Sequence, residues 1–172
     1  EGYMNTGFQR SSTSTKGSNT STTPVGKVRK GKAQHKKDVP LLLAMHDAAY
    51  VATVSPAYTQ DFVRKIEKAK TVTNGMVYIH VLSPCPTGWH FDPKDTISIA
   101  RLAVQTNFFP LWEYDNGTFR QTVLVKNAKP IQEFTAKLGK FRHLSDEEIS
   151  ELQVWIDEKI SLLNRLFAPA AS

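Results

Sequence analysis

Apolar positions in this chain gather into short blocks from residue 38 onward, and the spacing within each block predicts an element. Leu41, Leu42, Leu43, Met45 and His46 fit a helical stretch that Asp38 can cap, with Pro40 in its first turn. Tyr50 to Ser55 is short, β-branched and apolar, which predicts a strand buried on both faces. From Thr59 to Lys70 the apolar residues Phe62, Val63, Ile66 and Ala69 recur at helical spacing, and Asn74-Gly75 marks a turn. Met76 to Leu82 is a second strand. Strand, helix and strand at this spacing make a βαβ unit and predict a parallel pairing. Asp95 to Thr106 is a helix with a broad apolar face. Leu111 to Tyr114, the turn Asp115-Asn116-Gly117 and Phe119 to Val125 predict a hairpin. Pro130 to Leu138 is a short helix. Ser145 to Phe167 is a longer one, opened by a capping box of Ser145 and Glu148. Its stripe of Ile149, Leu152, Ile156, Ile160, Leu163 and Phe167 is a packing face, for this chain or for a companion subunit.

The segment before residue 38 breaks this pattern. Arg10 to Thr23 is mostly Ser and Thr, and by composition alone it is a disordered linker. Between Lys27 and Lys37 stand Lys27, Arg29, Lys30, Lys32, Lys36 and Lys37 with no acid among them, inside a chain of net charge +6. Such a run is ordinarily a solvated loop. Nucleic-acid contact is not supported, because no aromatic residues interleave the charges and no nucleic-acid motif occurs. The edge of a phosphate-binding pocket is the remaining option. No apolar run of about 18 residues exists, so no membrane-spanning helix is predicted. At 172 residues and 40% hydrophobic content the chain can bury a core. It starts at Glu1, without Met or a leader pattern, as a piece of a longer protein would. A lone cysteine makes no internal disulfide and fits a reducing cytoplasm.

Two stretches carry candidate chemistry. Ser83-Pro84-Cys85-Pro86-Thr87-Gly88-Trp89 follows the second strand directly, and the carboxyl ends of parallel strands are where open α/β sheets hold ligands. Pro84 and Pro86 restrict Cys85 to an extended, rigid setting. A buried core thiol needs no such flanks. His80 and His90 are close in sequence, but spacing alone does not bring either to the sulfur. One cysteine cannot hold a metal cluster by itself, so Cys85 is a ligand only if others come from elsewhere. The second stretch is Glu1-Gly2-Tyr3-Met4-Asn5-Thr6-Gly7, where Asn and Thr between small residues suit a turn facing a polar ligand, or a turn with only local hydrogen bonds.

An ordered set of segments goes further than composition. These two stretches, with Gln9-Arg10-Ser11-Ser12, Thr23-Pro24-Val25-Gly26-Lys27, Lys36-Lys37-Asp38, Tyr50-Val51-Ala52-Thr53, Ile99 to Thr106 and Phe141-Arg142-His143-Leu144, resemble the β subunit of pyruvate:ferredoxin oxidoreductase and its relatives over about Glu1 to Leu144. The resemblance implies an α/β fold: the C-terminal part of a thiamine-diphosphate-binding domain with a mainly parallel sheet, over residues 1–108, followed by a C-terminal extension with hairpin and helices over residues 109–172. It implies thiamine diphosphate, Mg²⁺ and a [4Fe–4S] cluster as cofactors. Gly2 would offer its carbonyl to Mg²⁺, and Gly2, Tyr3, Asn5, Thr6 and Gly7 would line the cofactor. Asn5 and Thr6 would face the reacting groups. Cys85 would be the last of four cluster cysteines, the other three lying upstream.

The implied reaction is coenzyme A-dependent oxidative decarboxylation of a 2-oxoacid, pyruvate first, with electrons passing to ferredoxin. The implied setting is a cytoplasmic hetero-oligomer of α, γ and δ type subunits, with no nucleic-acid or membrane partner. Phe8 stands where many relatives have a second glycine, and the Ser11–Thr23 loop also departs from the pyruvate-type pattern. Both leave the oxoacid open to oxalate, aryl or branched-chain substrates. A non-redox thiamine decarboxylase or synthase and a non-enzymatic binding module are the rival readings.

Overall fold

The structure, a computed structural model, describes the backbone of residues 2–4 and the whole of residues 7–167. Helix α1 (Val39–Ala44) begins where Asp38 predicts it, the carboxylate accepting the Leu41 N–H at 3.3 Å. Strand β3 (Tyr50–Val54) has all five residues buried, as an unbroken apolar run should. Two short strands precede it, β1 (Gly2–Met4) and β2 (Gly7–Gln9), paired antiparallel as a separate two-stranded sheet. Helix α2 (Thr59–Lys70) crosses over, and β4 (Val77–Val81) returns parallel to β3 with Tyr50 opposite Val77 and Val54 opposite Val81.

The expected hairpin is β5 (Trp112–Asp115) and β6 (Thr118–Gln121). Strand β5 takes the other edge of β3 in antiparallel register, so the sheet order is β4-β3-β5-β6. The α/β class stands, but the sheet is mixed where a mainly parallel one was expected. Of the pairings in this sheet, β3 with β4 is parallel, joined through α2. The tight turn at Asn116 (φ 43°) and Gly117 (φ 93°) makes β5 and β6 antiparallel to each other.

Among the described residues four more α-helices follow: α3 (Pro86–Trp89), α4 (Thr96–Gln105), α5 (Ile131–Thr135) and α6 (Asp146–Leu166). The predicted capping box closes α6: the Glu148 N–H reaches Ser145 Oγ at 3.3 Å and the Ser145 N–H reaches Glu148 Oε2 at 2.9 Å. The stripe on α6 packs on this chain. Leu152 and Ile156 join a core with Ile99, Val104, Phe108 and Phe134, while Leu163 joins a second core with Val51, Trp112 and Phe119. One helix thus ties both apolar clusters together. Among the described residues no helix is long and apolar enough to cross a membrane.

Two expectations from the pattern are corrected. On α2 the fully buried side chain is Lys65 (0% exposed), while Val63 is 51% exposed. The Lys65 ammonium donates to Thr53 O at 2.8 Å, Asp61 Oδ2 at 2.6 Å and Thr122 Oγ1 at 2.7 Å, so the helix meets the sheet through a satisfied cation. The Ser/Thr segment is not a disordered linker. Ser14, Thr15, Ser18 and Thr20 are buried, and their loop is closed by hydrogen bonds such as Ser11 N–H to Ser14 Oγ (2.9 Å) and Gly17 N–H to Lys32 O (2.7 Å). Hydroxyl groups can replace helix or sheet partners for nearby backbone groups, which composition does not reveal.

Candidate functional site

Strand β4 runs out through Leu82 and Ser83 into Pro84-Cys85-Pro86. Cys85 is half-buried and extended (φ −107°, ψ 107°), as its flanking prolines predict. It caps α3: Sγ accepts the Gly88 N–H at 3.3 Å. Backbone donors on a sulfur are a means by which proteins tune metal-bound sulfur. The loop is braced on two sides. Trp89 packs edge-on against Phe134 with ring centroids 6.4 Å apart, and the Gly139 N–H donates to His90 O at 3.2 Å. The sulfur is therefore positioned by the fold itself.

A cavity of about 500 Å³ opens beside it. Cys85, Gly88 and His90 form one wall, and Gly7, Phe8, Thr20 and Ser21 form the other. The hairpin β1–β2 supplies Gly7 and Phe8, with Tyr3 opposite Phe8 and Met4 opposite Gly7. Gly7 has φ +118°, and a Cβ there would run into Ser21 Oγ, so glycine is required. The Ser21 N–H, bonded to Phe8 O at 2.8 Å, holds the wall. Of the residues singled out in sequence, Gly7 and Cys85 meet at one cavity. Gly2 and Tyr3 lie on β1, while Asn5 and Thr6 lie outside the described residues.

A second cavity, of about 320 Å³, lies at the carboxyl ends of β3 and β4. Lys36, Lys37, Lys140 and Lys159 line it with a single carboxylate, Asp38, so it is electropositive. Burial works against ionisation of Asp38, but the Lys159 ammonium, 2.6 Å from Oδ2, holds the carboxyl below the ordinary range. Lys140 is 1% exposed, its ammonium 3.9 Å above the Trp89 ring centroid. His80 also faces this cavity, edge-on to Phe109; burial and then the Lys36 charge push its pKa down to about 4. Of the two histidines near Cys85 in sequence, His90 shares its cavity and His80 does not.

The basic run divides. Lys36 and Lys37 reach the cationic cavity, as a phosphate edge would require. Lys32 is buried and donates to the carbonyls of Ser14, Gln34 and His35. Lys27, Arg29 and Lys30 are solvated. Sequence reasoning missed Lys140 and Lys159, which no local spacing marks.

Among the described residues no group of three or more His, Cys, Asp or Glu is placed to hold a metal ion. With a single cysteine in the chain, Cys85 could serve a cluster only beside ligands supplied from another segment.

No family model matches the chain. Individual proteins do. It is 45% identical over 95% of its length to the pyruvate synthase subunit PorB of Methanocaldococcus jannaschii, covering 54% of that protein. It is 44% identical over 96% of its length to the ketoisovalerate oxidoreductase subunit VorB of Pyrococcus abyssi, again covering 54%. The chain belongs to this family of 2-oxoacid oxidoreductase β subunits. It spans about half the length of these relatives. The β subunit of the NADH-dependent phenylglyoxylate dehydrogenase of Aromatoleum evansii is a third relative, 43% identical over 96% of the chain. The named substrates of these relatives differ while the identities hardly do, so similarity sets a 2-oxoacid oxidoreductase subunit and no particular oxoacid.

Proposed function

We propose that this chain is the part of a 2-oxoacid oxidoreductase β subunit that contributes one thiolate, Cys85, to a [4Fe–4S] cluster and one wall of a thiamine diphosphate site. The observation that carries the reading is the shared cavity: Gly7 and Phe8 of the hairpin and the proline-flanked Cys85 are far apart in sequence yet line it together. Thiamine diphosphate, when bound, would supply carbanion chemistry, and a cluster held in part by Cys85 would supply one-electron transfer. The chain's own residues then have limited tasks. The Gly88 N–H steadies the Cys85 thiolate. Phe8 narrows the cavity opposite Cys85. Gly2, Tyr3, Asn5, Thr6 and Gly7 would border the cofactor, with the Gly2 carbonyl on Mg²⁺ and Asn5 and Thr6 beside the substrate. Lys36, Lys37 and Lys140 give the neighbouring cavity a positive field suited to an anionic substrate or to the phosphates of coenzyme A.

The proposed reaction is oxidative decarboxylation of a 2-oxoacid to its coenzyme A thioester, with ferredoxin as electron acceptor, in a cytoplasmic assembly with companion subunits. Pyruvate is the first substrate to assay. The test is Cys85→Ser in the full-length protein purified anaerobically with its companions. Iron and acid-labile sulfide should fall by about four atoms each per β subunit, with loss of the matching visible absorption. Unchanged iron content would refute the cluster assignment.

A further inference from the structure

Residues 27–30 line neither of these two cavities, yet they are held in a well-founded turn. Val25 and Lys30 form an antiparallel bridge, and the Gly26 N–H donates to Arg29 O at 2.9 Å. Gly31 follows at φ +83°, where a Cβ would stand 2.7 Å from the Gly17 carbonyl oxygen, so the turn can approach its foundation only with glycine there. Immediately below, the buried Lys32 ammonium grips three carbonyls at 2.8, 2.7 and 3.1 Å. The turn itself presents Lys27, Arg29 and Lys30 to solvent, with no ion pair to a carboxylate among the described residues. At its apex Val28 is 92% exposed. Under it runs a groove of about 430 Å³ floored by Leu144 and Leu152, with Glu148 and Glu151 on the far wall.

We propose that this turn is the docking point for a companion subunit, which meets it with an acidic surface surrounding an apolar socket for Val28. Charge complementarity selects acid, because Lys27, Arg29 and Lys30 stand exposed on the turn and residues 27–37 contain no carboxylate. A nucleotide fits less well: the turn carries no aromatic ring for a base to stack on. An ordered turn loses little entropy when covered, and an apolar apex gains from lasting burial. The relatives are each named as a subunit of an oxidoreductase, which makes a companion chain the natural occupant. The inference rests on the reading of the chain as part of a multi-subunit enzyme.

The experiment co-produces the full-length protein with its companion subunits, as wild type, as Val28→Asp, and as the combined Lys27→Glu, Arg29→Glu and Lys30→Glu variant. Assembly is followed by size-exclusion chromatography with light scattering across a salt series, and the amides of residues 26–31 by hydrogen exchange. The turn should be protected on assembly, and both variants should weaken the complex by about tenfold or more while melting as wild type does. Wild-type salt tolerance in the combined variant, or equal exchange in free and assembled protein, would overturn the proposal. Intact assembly with a raised KM for an acidic electron carrier would also overturn it, and would assign the turn to that carrier. If wild type meets no companion at all, the subunit reading fails first and takes the docking site with it.

Discussion

His80 stands on β4 with its ring against Phe109 and Tyr78 and its charge neighbours Lys36, Asp38 and Lys159 across the cavity. Burial and the lysines outweigh the carboxylate, so the imidazole stays neutral in the folded protein down to about pH 4, against an ordinary value of 6.5. An unfolded chain binds this proton first. The contribution of His80 is therefore fully present above pH 6.5 and is lost as pH falls from 6.5 toward 4. Urea titrations should show stability declining over that window, and His80→Phe should flatten this part of the profile; an unchanged slope in the variant would remove His80 from the account. The six cations between Lys27 and Lys37 show how far single residues outrun composition. Three are solvated, one is an internal clamp and two border a cavity, and no property of the run itself tells them apart.

At the level of elements, periodicity was a good guide wherever burial was the organising force. It located α1, β3, α2, β4, α4, the hairpin and α6, including the caps at Asp38 and Ser145. On α2 it placed Phe62, Ile66 and Ala69 on the inner side but missed Lys65 between them, which is buried by three oxygen partners, and wrongly included the exposed Val63. That contact makes a sharp expectation. Lys65→Ala leaves Asp61 without its buried cation and the Thr53 carbonyl without a donor, so it should cost about 3 kcal/mol in equilibrium unfolding. A loss below about 1 kcal/mol would mean that water replaces the ammonium freely. The Arg10–Thr23 loop was illegible for a related reason: its order comes from hydroxyl and backbone hydrogen bonds, which leave no hydrophobic period.

Over the whole molecule, the sheet, the proline-bound loop and the hydroxyl-rich loop act together. The parallel pair β3–β4 delivers Cys85 to one end of the sheet, and the loop from residue 10 to 37 folds back over that same end. The thiol was legible from its prolines and its place after a strand. The cationic cavity was not, because Lys140 and Lys159 reach it from distant parts of the chain. The buried Lys32 carries one more consequence. Trypsin must thread a flexible, reachable lysine into its specificity pocket. Brief digestion of the native protein should nick after Lys27, Arg29 or Lys30 and spare the bond after Lys32, whose ammonium is held inward by three carbonyls. The mass spectrum of the first fragments would then be a map of which positive charges face the solvent and which have become part of the interior.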